Sequence, residues 1–147
     1  MDIPRLNRDL LLIKHGNFRK ATWTFNKQEI PNFIVLQGAF ALDQHKFNLP
    51  DLNMLVPVAP NLYDPAGDGI FHFYRFVYVD GSLMIRDRQT GEYRRIYRGY
   101  GHNLYHFDKI PFFSGWQWIC VMHPTCGNSE TILDLLASVQ TFLNNDA

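Results

Sequence analysis

Trp116-Gln117-Trp118-Ile119-Cys120-Val121-Met122-His123 is an aromatic and apolar run with the character of a β-strand, and it carries a cysteine. After a short loop, Thr131 to Leu143 places Ile132, Leu135, Leu136, Val139, Phe142 and Leu143 at the spacing of one helical face. A strand followed by an amphipathic helix is the closing unit of an α+β domain, in which the helix lies across the sheet. A cysteine on an extended segment just before a packed helix is also a setting for an activated thiolate. This end of the chain therefore speaks both to fold and to chemistry.

Upstream, Ile70 to Val79 is the most strand-like segment. Alternation puts Phe71, Phe73, Arg75, Val77 and Val79 on one side and His72, Tyr74, Phe76 and Tyr78 on the other. Large rings on both sides predict a central strand. Asp80-Gly81 reads as a hairpin turn, and Thr90-Gly91 as a weaker turn before a strand over Tyr93 to Tyr97. Ala21 to Phe25, Phe33 to Gln37 and Met54 to Val58 are further strands, with a turn at Gln28 to Pro31 and an irregular Pro- and Gly-bearing loop from Ala59 to Gly69. The first fifteen residues suit a short helix with Leu6, Leu10, Leu11 and Ile13 on its apolar side, its length limited by Asn7 and Gly16. The expectation is an antiparallel meander sheet with a C-terminal helix and a short N-terminal helix. No repeat, linker or low-complexity tract divides it.

Composition bounds what such a domain can do. With 147 residues, 46% of them hydrophobic, the chain suits one domain with its own core, residues 1–147, and is short for two. Lysine plus arginine and aspartate plus glutamate each number 14, so the molecule has no net field to draw in nucleic acid or an anionic membrane. Two cysteines are too few for a disulfide scaffold, which points to reduced thiols in a cytoplasmic setting. The longest N-terminal apolar run, Leu10 to Ile13, is shorter than a signal-peptide core or a membrane span, so a soluble, unprocessed protein is expected.

These elements resemble the ubiquitin-conjugating enzymes, and more closely the divergent bacterial branch encoded beside a ubiquitin-like protein, an activating enzyme and a metalloprotease-type deconjugase. The similarity runs from Phe33 to Leu143. Asn53-Met54-Leu55-Val56-Pro57, then Tyr63-Asp64-Pro65 and Asp68-Gly69-Ile70-Phe71, are similar to that branch's strand, proline-bearing loop and next strand. Trp116 to Cys120 resembles the segment that carries the acceptor residue, and Leu136 to Asn145 the end of the helix that follows it. The resemblance implies that an activating enzyme hands the C-terminus of a ubiquitin-like protein to Cys120 as a thioester, and that an amine of a protein target then takes it. It implies no metal and no cofactor, a cytoplasmic site of action, and a part in bacterial antiphage defence.

The departures are specific. The family's His-Pro-Asn tripeptide ahead of the cysteine is absent, the nearest His-Asn pair being His102-Asn103, so no oxyanion donor is assigned. In place of the Trp and Pro usual after the cysteine stands His123-Pro124-Thr125-Cys126-Gly127-Asn128. His123 is placed to assist proton transfer, and Asn128 to donate to an oxyanion or to cap the helix. Cys120 also reads as an inert core thiol, and Cys126 as an alternative nucleophile, a resolving thiol or an incidental one. His102, His106, His123 and the cysteines match no standard zinc spacing, and His72 reads as structural.

Arg86, Arg88, Arg94, Arg95 and Arg98 fall on one hairpin with Tyr93, Tyr97 and Tyr100 among them. Such a mixture suits single-stranded nucleic acid, but Asp80, Asp87 and Glu92 weaken the field, which favours a solvated face. A docking face for a protein is the third reading. Two alternatives to the enzyme therefore stand beside it: an inactive member of the fold serving as a binding scaffold, and a nucleic-acid-binding module using the arginine hairpin.

Overall fold

A computed structural model describes residues 3–15, 22–30, 33–58, 76–96, 113–120 and 132–145. In chain order the elements are α1 (Ile3–His15), β1 (Thr22–Ile30), β2 (Phe33–Ala41), β3 (Asp51–Val58), β4 (Phe76–Asp80), β5 (Met84–Arg86), β6 (Tyr93–Arg95), β7 (Trp116–Cys120) and α2 (Ile132–Asn145). The architecture is α+β, as the sequence predicts. Five strands form one sheet in the order β1-β2-β3-β4-β7, and β5 and β6 make a separate two-stranded sheet. Every pairing is antiparallel.

The strand register sorts the side chains into two cores. Leu36, Val56, Met54, Val79, Val77 and Ile119 turn to one face of the large sheet, where Leu6 and Leu10 of α1 and Ile132, Leu135, Leu136, Val139, Phe142 and Leu143 of α2 cover them. All six apolar positions read from the helical spacing of α2 are buried. Val35, Leu55, Phe76, Tyr78 and Phe113 cluster on the opposite face, with Trp116 and Trp118 packed against them. Because both faces are apolar, β4 lies between β3 and β7 with no exposed side. This is the central strand that its rings predict.

Three local expectations are corrected. The N-terminal helix forms, with Pro4 in its first turn where a missing N–H costs nothing. Leu6 and Leu10 of its apolar side are buried, while Leu11 and Leu12 are 56% and 51% exposed because they turn away from that stripe, and the side chain of Ile13 lies outside the described residues. Asp9, only 8% exposed, shares the buried side, and its Oδ2 makes no hydrogen bond. The turn expected at Gln28 to Pro31 is displaced, since β1 continues to Ile30 and its register with β2 slips between Asn26 and Ile30. The strand expected from Ile70 is described only from Phe76, its first six residues lying outside the described residues.

The third correction concerns Asp80-Gly81. The turn is there, with Leu83 N–H donating to the Asp80 carbonyl and Asp80 Oδ1 accepting from the Ser82 amide. It does not close a β4–β5 hairpin, because both edges of β4 are already taken by β3 and β7. Instead Gly81 N–H donates to the Gly115 carbonyl at 3.1 Å, which brings the two turns together at one end of the sheet. A Cβ at position 81 would overlap that carbonyl oxygen, so only glycine fits the approach. Gly81→Ala is expected to destabilise the fold by about 1–3 kcal/mol, the range for overpacking a tight contact. A urea midpoint equal to that of the parent chain would contradict this close approach.

The β5–β6 hairpin is tied to the main core from below. Asn48 Nδ2 donates to the Ser82 carbonyl and its Oδ1 accepts from the Met84 amide, so one side chain extends β5 by the bonds of a third strand. Phe47 bridges Ile85, and Phe47, Leu83, Ile85 and Ile96 join the helix-covered core. Lys46 Nζ then donates to the Leu143 and Asn144 carbonyls at 2.6 and 2.9 Å. These are orphan acceptors at the C-terminal end of α2, where a cation is favoured.

Candidate active site at the end of β7

Cys120 is the last residue of β7, which among the described strands pairs with β4 alone. The register sets it directly opposite Phe76, with Trp118 opposite Tyr78 and Ile119 opposite Val77. Alternation therefore turns the Cys120 side chain away from the helices and onto the aromatic face, together with Trp116 and Trp118. Directly opposed side chains of an antiparallel pair approach to roughly 5 Å at Cβ, so the Phe76 ring is its nearest cross-strand neighbour. The residue is 7% exposed and its sulfur is not in a disulfide.

Burial departs from what an acceptor thiol needs in its resting state. The sulfur stands on the strand ahead of the last helix, where an activated thiolate is expected, but it is buried. Phe76, Tyr78, Phe113, Trp116 and Trp118 cluster on the sheet face to which the β4–β7 register turns Cys120. His123, Asn128 and Cys126 lie outside the described residues, as do His72, His102-Asn103, His106, Arg98, Tyr97 and Tyr100.

The strand also holds a polar residue that sequence reading passed over. Gln117 lies on the helix-covered face, is buried, and donates from Nε2 to the Asp80 carbonyl at 2.9 Å and to the Leu83 carbonyl at 3.2 Å. Two carbonyls of the β4–β5 turn are thereby satisfied by one amide, and the cysteine strand is locked in register with β4. Its signal was a lone amide inside an apolar strand, a group that needs partners once buried.

The second candidate surface is the β5–β6 hairpin. Arg86, Arg88, Arg94 and Arg95 are exposed there, as the solvated-face reading requires. Arg94 Nε lies 3.8 Å from Asp87 Oδ2, and the Arg86 guanidinium sits 5.3 Å from the centre of the Tyr93 ring while donating to its hydroxyl. Asp87 closes the turn by accepting the amides of Thr90 and Gln89, and these bonds, with the Arg94 charge, hold its carboxyl below the usual aspartate range. A depressed folded-state value means stability that is present above the unfolded value and lost as pH falls through the folded one. The turn is thus expected to loosen only at strongly acid pH. Amide resonances of Gln89 and Thr90 should titrate below the midpoint of an unfolded reference peptide, and Asp87→Asn should abolish that titration.

Among the described residues no three histidine, cysteine, aspartate or glutamate side chains come together as a metal site, and no helix is long and apolar enough to cross a membrane. Compared with protein-family models, with curated proteins and with solved structures, the chain matches none.

Proposed function

We propose that the chain is a ubiquitin-conjugating-type enzyme in which Cys120 carries a ubiquitin-like protein as a thioester. The observation that supports this most is positional: the cysteine ends β7 of the five-stranded antiparallel sheet, the strand that precedes the one long C-terminal helix. The ubiquitin-conjugating-type fold belongs to this proposal too, and rests on the order of α1, the β1-β2-β3-β4 meander, the cysteine strand and α2.

The chemistry asks little of the protein. An activating enzyme, using ATP, presents the C-terminus of the ubiquitin-like protein as a thioester. The Cys120 sulfur attacks the carbonyl carbon, a new S–C bond forms, and the activating enzyme's thiol leaves with the proton. An amine of the target then attacks the same carbon, an amide forms, and Cys120 is released as a thiol. Sulfur suits both steps because its thiolate is a good nucleophile and a good leaving group at neutral pH. His123 and Asn128 follow the acceptor closely enough in sequence to serve proton transfer and oxyanion binding.

A second reading is favoured by the burial of Cys120: a non-catalytic member of the fold that binds a ubiquitin-like protein or an enzyme partner as a scaffold. One experiment separates the two. The chain is incubated with an activating enzyme encoded in the same genome, ATP and the cognate ubiquitin-like protein. The enzyme gives an adduct cleaved by added thiol, lost in Cys120→Ala and kept in Cys126→Ala. Binding with no adduct assigns the scaffold, and an adduct that survives Cys120→Ala removes Cys120 from the role.

A further inference from the structure

The β5–β6 hairpin, the 43–46 turn and the C-terminal end of α2 enclose an open cavity of about 640 Å³. Its wall carries Lys46, Arg86, Arg88 and Arg94 against Asp43 and Asp87. Four cations against two carboxylates leave an excess of two positive charges in a chain whose total is zero. The arginine excess read from the sequence is therefore concentrated, not spread evenly round the hairpin. We propose that this cleft binds an acidic segment of a partner polypeptide, with Arg88 as the central cation and Arg86 and Lys46 beside it.

The donors are held ready for such a ligand. Arg88 lies beyond β5 in the hairpin turn, exposed, and no carboxylate among the described residues pairs with it. Lys46 uses two of its three N–H donors on the α2 carbonyls, which fixes the ammonium in place and leaves one donor. Arg86 is braced against Tyr93 and spends one of its five donors on the hydroxyl. Loss of water, and after it repulsion from Arg88, lowers the proton affinity of Lys46, so a carboxylate between the two cations would relieve a standing cost. Cations fixed in this way lose little freedom on binding.

The pattern of charge selects carboxylates on a polypeptide over phosphates on a nucleic acid. Asp43 and Asp87 interrupt the row of cations, which suits separate acidic side chains and opposes a continuous phosphate chain. One face of the Tyr93 ring, on which a base could otherwise stack, is already covered by the Arg86 guanidinium. None of these residues is near Cys120 in the fold, so the site stands or falls apart from the thioester reading.

The probe is a short fluorescein-labelled peptide alternating glutamate and glycine, titrated with the full chain at low salt and read by polarisation and by amide shifts. Saturable binding is expected, with shifts confined to residues 43–48, 85–94 and 144. Arg88→Glu should weaken it by roughly tenfold or more, the loss expected when a central attraction becomes a repulsion. Cys120→Ala should leave it unchanged. Arg88 is exposed and outside both cores, and an unaltered thermal midpoint confirms that the variant is folded; Arg88→Ala serves in its place should the midpoint fall. Absence of saturable binding, shifts elsewhere, binding indifferent to both Arg88 variants, or tighter Arg88-dependent binding of a single-stranded oligothymidylate would overturn the proposal.

Discussion

Tyr78→Ala is expected to cost about 3–5 kcal/mol, the range for deleting a fully buried aromatic side chain. The ring has no exposed surface and is the keystone of the aromatic face. It stacks on Phe113 with centroids 4.3 Å apart and 21° between planes, and meets the edge of Phe76 at 5.9 Å and 83°. Leu55 and Trp118 flank it on the neighbouring strands. Its removal opens a void that no single neighbour can fill, because Phe113 and Phe76 are each held by their own backbone. Domains of this kind are stable by about 5–15 kcal/mol, so the substitution should remove at least about a fifth of that margin. Its thermal midpoint should fall by about 10 °C or more. Tyr78→Phe keeps both ring contacts and should lose only the hydroxyl's share, about 1 kcal/mol. Equal losses from the two variants would show that the ring contacts carry no special weight.

The contrast between the two sheet faces explains how much of this molecule is legible from residues alone. On the helix-covered face each signal agrees with its neighbours. Val77 and Val79 alternate with rings, Ile132 to Leu143 repeats at helical spacing, and the structure buries every one of those positions. Periodicity is a local property and survives folding when a single face is to be covered. The pairing partners were not legible. Asp80-Gly81 has the chemistry of a hairpin turn, yet the strand after it joins β6, because competition for the edge of β4 is decided by β7, which arrives more than thirty residues later in the chain. Leu11 misled for a related reason: in a run of three leucines the composition is apolar all round, and only the angle of approach to α2 chooses which of them face inward.

The candidate site divides in the same manner. The position of Cys120 at the end of a strand followed by a helix was readable, since it depends on order. Its cover was not, since that depends on Phe76, which lies 44 positions earlier and meets it only through the β4–β7 register. The basic cleft was half readable. The arginines announce themselves as a cluster, but the contribution of Lys46 and the end of α2 arises from tertiary packing across 97 residues of sequence.

Thiol labelling of Cys120, in a Cys126→Ser background, should be slowed by roughly 30- to 1,000-fold relative to the urea-unfolded chain, and this protection should depend little on low concentrations of urea. The argument starts from burial. A sulfur whose residue is 7% exposed reacts only from opened forms, and every 1.4 kcal/mol of opening free energy slows it about tenfold. Cys120 is the final residue of β7, which among the described strands pairs with β4 alone, so detaching its end from Phe76 breaks one of the five described β4–β7 register pairs. An opening of about 2–4 kcal/mol is what such local fraying requires, and a small exposed area means a small denaturant slope. Gln117 sets the limit of that fraying, because unpeeling the strand past it would break both bonds from its buried amide to the Asp80 and Leu83 carbonyls. Phe76→Ala should therefore speed labelling by lifting the ring that covers the sulfur, while Gln117→Leu should act mainly by lowering global stability. An acceptor thiol can work from such a locally opened state, since the activating enzyme need only capture the frayed strand end. Labelling that instead follows global unfolding with the full denaturant slope would make Cys120 a core residue, and the scaffold reading would then be the one to carry forward.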